Sequence, residues 1–121
     1  MLEDGHERYN VFTGNLGAST ERPQRLIPDM GTNGQETDRD AATFWITNPT
    51  NSFIGNVAAG SQVNGFWFEL NNQVRGPIAD RFARYNPKRQ PLIAFRDNVA
   101  HSNRRVSHSS WHCPSPQLFV F

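Results

Sequence analysis

Glu3, Asp4, His6 and Glu7 crowd the first seven residues, and carboxylates beside an imidazole are the side chains that bind cations or move protons. Such a group offers hard oxygen ligands for Ca²⁺, or an acid/base pair for cleaving a glycosidic bond. Glycoside cleavage needs two carboxyl groups roughly 5–10 Å apart, one of them protonated near neutral pH, which spacing in a chain does not supply. The structural alternative is an acidic turn at the start of a strand. Asp97 and His101 form a second candidate, with Ser102 beside them. On one continuous strand, residues four apart point to the same side. His101 as a surface residue at a corner is the alternative. His108, His112 and Cys113 resemble part of a zinc site but lack a fourth ligand and lie in a Ser/Pro-rich tail. Trp45, Trp67 and Phe68 could stack on sugar rings. Facing inward, the same aromatics would form a core ladder.

The elements that position these groups are legible through a repeat. Phe12-Thr-Gly-Asn15-Leu16-Gly17, Phe53-Ile-Gly-Asn56-Val57-Ala58 and Phe95-Arg-Asp-Asn98-Val99-Ala100 share an aromatic, a Gly or Asp, an Asn, an aliphatic and a small residue. The copies lie 41 and 42 positions apart, counted from their Phe numbers. Phe44-Trp45-Ile46-Thr47 echoes Phe66-Trp67-Phe68-Glu69 at about half that step, an offset of 22. Repeats of this length mark solenoids, whose units bury apolar faces only against neighbouring units. Short apolar runs broken by Asn/Gly bends predict an all-β chain. The expectation is a parallel β-helix with coils of about 20 residues each.

Residues 1–103 form the predicted β-helix segment, interrupted by loops at 19–40 and 71–91. The first loop holds Pro23, Pro28, Gly31, Gly34 and five acidic residues; the second holds Asn71, Asn72, Gly76, Pro77 and Pro87. Ile78–Tyr85 is the one stretch with room for a turn or two of helix. Asn15, Asn56 and Asn98 read as scaffold: Asn tolerates the left-handed bend and can stack in a hydrogen-bonded ladder from coil to coil. Phe12, Phe53 and Phe95 are the matching structural repeat. Residues 104–121 lose the pattern and read as a non-repeat tail, expected to arise from a truncated gene model or a changed reading frame.

Composition narrows the function classes. A net charge of +1 gives no general pull toward nucleic acid or an anionic membrane. The basic groups at Arg81, Arg84, Lys88 and Arg89, and at Arg96, Arg104 and Arg105, lack interleaved aromatics and read as solvated loop charges. One cysteine excludes an internal disulfide framework. No signal-peptide pattern and no apolar run of membrane-spanning length occur. The one glycosylation-like triplet, Asn48-Pro49-Thr50, carries the forbidden proline. No P-loop, dinucleotide fingerprint or nucleophile elbow is present. No cofactor is identified beyond the Ca²⁺ that the acidic turn admits.

Several strings resemble one family in order. They are Glu3-Asp-Gly5, Glu7, Asn10 and Asn15-Leu16; then Ala42-Thr-Phe-Trp-Ile-Thr-Asn-Pro-Thr-Asn51; then Asn56-Val-Ala-Ala-Gly-Ser61, Gly65-Phe-Trp-Phe68 and Phe95-Arg-Asp-Asn-Val-Ala-His-Ser102. The family is the G8-containing, fibrocystin-like group, with its cell-migration-inducing and transmembrane hyaluronidases. The resemblance covers about residues 2–103. It implies a right-handed parallel β-helix, incomplete and of about four to six coils, as a fragment of a large extracellular or cell-surface protein, neighboured by further coils and in some members associated with hyaluronan. A scaffold or glycan-binding module is the expected role. Alternatives are part of a hyaluronan-type depolymerase with its catalytic residues mostly elsewhere, or an adhesion or receptor segment without glycan specificity. No catalytic residue of the family maps onto this chain.

Overall fold

A computed structural model describes residues 2–24 and 41–104. Among the described residues, eight short strands carry the fold: β1 (Val11–Thr13), β2 (Leu16–Ala18), β3 (Ala42–Ile46), β4 (Ser52–Ile54), β5 (Val57–Ala59), β6 (Asn64–Phe68), β7 (Ala94–Arg96) and β8 (Val99–His101). They assemble into three sheets ordered β1-β4-β7, β2-β5-β8 and β3-β6. Every pairing is parallel. The chain therefore visits the same three sheets in the same order twice and then begins a third pass. This all-β arrangement matches the expected class. The number of passes differs from the four to six coils expected, for a reason visible in the pairings. Ala42 pairs with Asn64, 22 positions on, whereas Val11 pairs with Ser52 and Ser52 with Ala94, 41 and 42 positions on. A bare circuit thus takes 22 residues. The first two passes share an inserted connection at 19–41, between β2 and β3, and the later ones another at 69–93, between β6 and β7. These connections take in the stretches read as loops at 19–40 and 71–91, and the residues left for strands and corners fill fewer passes than the expected number. Within the second, Ile78–Tyr85 contains a 3₁₀ turn, Ala79–Phe82. Residues 25–40 of the first insertion, the tail from residue 105, and with it His108, His112 and Cys113, lie outside the described residues.

The core follows from the register. Phe12, Phe53 and Phe95 face one another across β1, β4 and β7. Phe12 stacks on Phe53 at 4.6 Å with an 8° interplanar angle, and Phe44 on Phe66 at 4.7 Å and 8°. The two columns meet edge to face, Phe44 on Phe53 and Phe66 on Phe95, the geometry ring quadrupoles favour. Leu2, Ile46 and Phe53 form the buried centre. The third column must be small. Gly17, Ala58 and Ala100 stand in register, and a Cβ on Gly65 would press to 3.1 Å from Ala58 and 3.0 Å from Ala100.

Asn side chains tie one pass to the next. Asn56 Oδ1 accepts from both the backbone N–H and Nδ2 of Asn15, at 3.0 and 2.8 Å. Asn98 Oδ1 repeats this toward Asn56, both at 3.0 Å. Asn51 does the same for Asn10, at 2.9 and 3.0 Å. The ladder is as expected, but the reason given for Asn at the bend is corrected. The left-handed residue is the one before it: Gly14 and Gly55 at φ 64° and Asp97 at φ 58°. Asn is selected for its amide, not for its backbone.

Candidate functional site

Two outer regions hold the chemistry-bearing side chains, and both border the insertion 69–93. On β3 and β6, strand alternation sends Phe44, Ile46, Phe66 and Phe68 into the core and Trp45 and Trp67 to the opposite face. Phe68 is thereby removed from the sugar-stacking set; it packs edge-on against Phe95 at 5.3 Å. The aromatic ladder inside the coil is built from phenylalanines, and the tryptophans lie outside it. Trp45 and Trp67 are half-buried neighbours with ring centroids 6.1 Å apart and tilted by 37°. Trp67 Nε1 donates to Glu69 Oε2 at 3.0 Å. Arg75 Nη2 lies 3.7 Å from Glu69 Oε1 and donates to Asn71 Oδ1 at 2.9 Å. Two indole faces are thus bordered by a carboxylate, a guanidinium and an amide.

The second region is the turn at residues 2–10. Leu2 N–H donates to the Trp45 carbonyl, Asn48 Nδ2 to the Gly5 carbonyl and Asn51 Nδ2 to the Glu7 carbonyl, so the turn lies along the 45–51 segment. The Glu7 carboxylate folds back on its own turn. Oε1 accepts from the Glu3 and Asp4 backbone N–H groups at 2.9 and 3.1 Å, and Oε2 from that of Gly5 at 2.9 Å. Burial by itself would raise the Glu7 pKa, but backbone N–H donors outweigh it and hold the group below the ordinary carboxylate value. Glu7 is therefore poorly suited to the protonated general acid that glycoside cleavage requires. Asp4, His6 and Glu7 present ligand atoms all within 4.8 Å of one another; Glu3 is exposed and outside the group.

Asp97 and His101 are not brought together. Asp97 occupies the left-handed corner between β7 and β8 and pairs with Arg96 at 2.9 Å. His101 ends β8, with Ser102 Oγ 3.2 Å from its Nδ1. The corner breaks the strand, so the same-side rule does not reach across it. A clamp that sequence reading missed joins the turn to the insertion: the Arg8 guanidinium lies 4.8 Å over the Tyr85 ring and 5.8 Å over Phe82 and Tyr9. The spacing of Phe82 and Tyr85 was its one visible signal.

A known family model, the CEMIP beta-helix, matches residues 1–108. The chain belongs to the CEMIP beta-helix family. Fibrocystin-L of Homo sapiens is 37% identical over 102 residues, covering 84% of this chain and 2% of that protein. The human cell migration-inducing and hyaluronan-binding protein is 41% identical over 122 residues, covering 88% of this chain and 9% of the relative. The human cell surface hyaluronidase CEMIP2 is 34% identical over 120 residues, covering 85% and 9%. The chain thus spans less than a tenth of the length of each of these relatives. No solved structure matches. Among the described residues no helix is long and apolar enough to cross a membrane.

Proposed function

We propose that this chain is a right-handed parallel β-helix segment of an extracellular or cell-surface protein, and that it acts as a scaffold presenting a polysaccharide-binding face. Right-handedness is supported by the strong chirality preference of parallel crossovers. The observation that carries the binding reading is the Trp45–Trp67 pair, kept off the core while the adjacent phenylalanines fill it. Two indoles on neighbouring strands offer stacking faces to successive sugar rings. Glu69, Arg75 and Asn71 supply donors and acceptors at the rim, suited to the hydroxyls and carboxylates of a hyaluronan-like chain. The names of two relatives, one hyaluronan-binding and one a hyaluronidase, point to the same ligand class. The depolymerase reading is the second one. It draws support from the hyaluronidase relatives, but Glu7 is held ionised and Asp97 and His101 are not joined, so the catalytic residues would lie outside this chain.

The test is binding of fluorescent hyaluronan oligosaccharides, with chondroitin and cellulose oligosaccharides beside them, to the 121-residue chain and to Trp45→Ala and Trp67→Ala. Each substitution should weaken binding about tenfold or more, in line with stacking worth ~1–3 kcal/mol per ring on comparable planar ligands. A wild-type chain that binds no glycan, or tryptophan variants that bind equally well, would leave a plain scaffold.

A further inference from the structure

We propose that Asp4, His6 and Glu7 form a binding site for a first-row divalent cation such as Mn²⁺ or Zn²⁺, which fastens the 2–10 turn to the 69–93 insertion. One ligand atom from each residue lies within 4.8 Å of the others, close enough for small adjustments to bring all three onto one ion. The donor set is one imidazole and two carboxylates. Such mixed nitrogen and oxygen ligands suit Zn²⁺ and Mn²⁺ better than Ca²⁺, which prefers oxygen alone.

A buried polar atom within the group supplies a further reason for a ligand here. His6 Nδ1 is buried and has no hydrogen-bond partner among the protein's own atoms. Buried polar groups are nearly always paired, and an unpaired one calls for a water or an ion. The carboxylates are suited to the task. Glu7 Oε1 is occupied by two N–H groups, whereas Oε2 accepts only the Gly5 N–H and keeps a lone pair for a metal. The same N–H groups keep Glu7 charged and fixed, as outer-shell donors do for ligating carboxylates. Asp4 and His6 both touch the insertion: the Asp4 carboxylate rests against Gly76, and the His6 ring lies 5.6 Å from that of Phe82. An ion at this point would therefore couple two segments far apart in the chain.

The experiment uses the 121-residue chain carrying His108→Ala, His112→Ala and Cys113→Ser, so that tail side chains cannot contribute ligands. The metal-stripped protein is titrated with MnCl₂, ZnCl₂ and CaCl₂ by calorimetry, and its melting temperature is followed in parallel. Saturable binding of one Mn²⁺ or Zn²⁺ per chain is expected, with a higher melting temperature. His6→Gln and Asp4→Asn should each weaken binding at least tenfold, with circular dichroism of the metal-free variants unchanged, and His101→Gln should have no effect. No saturable binding, equal binding by both site variants, or a Ca²⁺ response insensitive to His6→Gln would each overturn the proposal.

Discussion

Asn56 has no exposed surface and serves two neighbours at once. Its Oδ1 satisfies Asn15 from one side, its backbone N–H and Nδ2 reach Asn98 on the other, and Nδ2 also donates to the Phe12 carbonyl at 3.0 Å. Asn56→Ala removes the partner of the Asn15 N–H and of the Phe12 carbonyl, both in part-buried contacts, together with the buried amide itself. The expected loss is about 1–3 kcal/mol, the cost of leaving such polar groups unpaired. Urea unfolding measures it, and a loss below ~1 kcal/mol would mean the amide ladder is dispensable. Glu7 gives a different kind of residue-scale prediction. Its folded pKa lies below its ordinary value of 4.5, so its contribution is complete above that pH and is lost as acidification passes through the folded pKa. In the presence of a chelator, the melting temperature should fall on acidification below about pH 4.5. Glu7→Gln should flatten that acid limb while lowering stability at neutral pH; an unchanged limb would show that the carboxylate does not hold the turn.

At the scale of the element, the corner between paired short strands is the recurrent device. Gly14, Gly55 and Asp97 take equivalent positions before an Asn, all in the left-handed region. A Cβ at Gly55 would meet nothing within 4 Å, so substitution there tests the backbone alone. Gly55→Ala is expected to cost roughly 1–2 kcal/mol, the penalty of a left-handed L-residue, and Gly55→Asn distinctly less. Equal stability of the two variants in thermal unfolding would refute this account. The corner also shows what could be read in advance. Phe, Gly or Asp, Asn and the following aliphatic were visible as a repeat because each position meets its own copy one pass away, which constrains residue type. The division of labour between Gly and Asn was not visible, because both residues favour bends and only dihedral angles separate them. Spacing alone left Asp97 and His101 open between a joined pair and a surface histidine for the same reason: a spacing of four is meaningful only if no corner intervenes, and His101 is the exposed residue at the end of β8.

For the whole molecule, parallel stacking and the half-step between the two Phe-Trp pairs were both legible, because β3 and β6 are joined by the shortest of the inter-pass returns. The number of passes was not. Composition marked most of the 69–93 connection as a loop, but not how many residues of each pass lie outside the strands, which the 22-position register between β3 and β6 sets. The candidate sites divide similarly. Strand alternation could say that Trp45 and Phe44 face opposite ways, but not which side is the core; the Phe columns decide that by meeting edge to face. The grouping of Asp4, His6 and Glu7 could be suspected from their closeness in the chain. The Arg8 clamp on Tyr85 could not, since it depends on where the insertion folds back.

The uneven connections have a consequence for anyone who would re-engineer this chain. The passages from β2 to β3 and from β6 to β7 have already absorbed long extra segments without disturbing the pairing on either side. The two-residue corners, Gly14-Asn15, Gly55-Asn56 and Asp97-Asn98, keep one length in all three passes. An added residue there would shift the strand that follows by one position and send its inward side chain to the outer face. A foreign peptide, an epitope or a reporter therefore has its natural graft point at residues 23–24, beyond the bonds that tie Thr20 and Arg22 to Thr43 and Gln62, and its worst one at Gly55-Asn56.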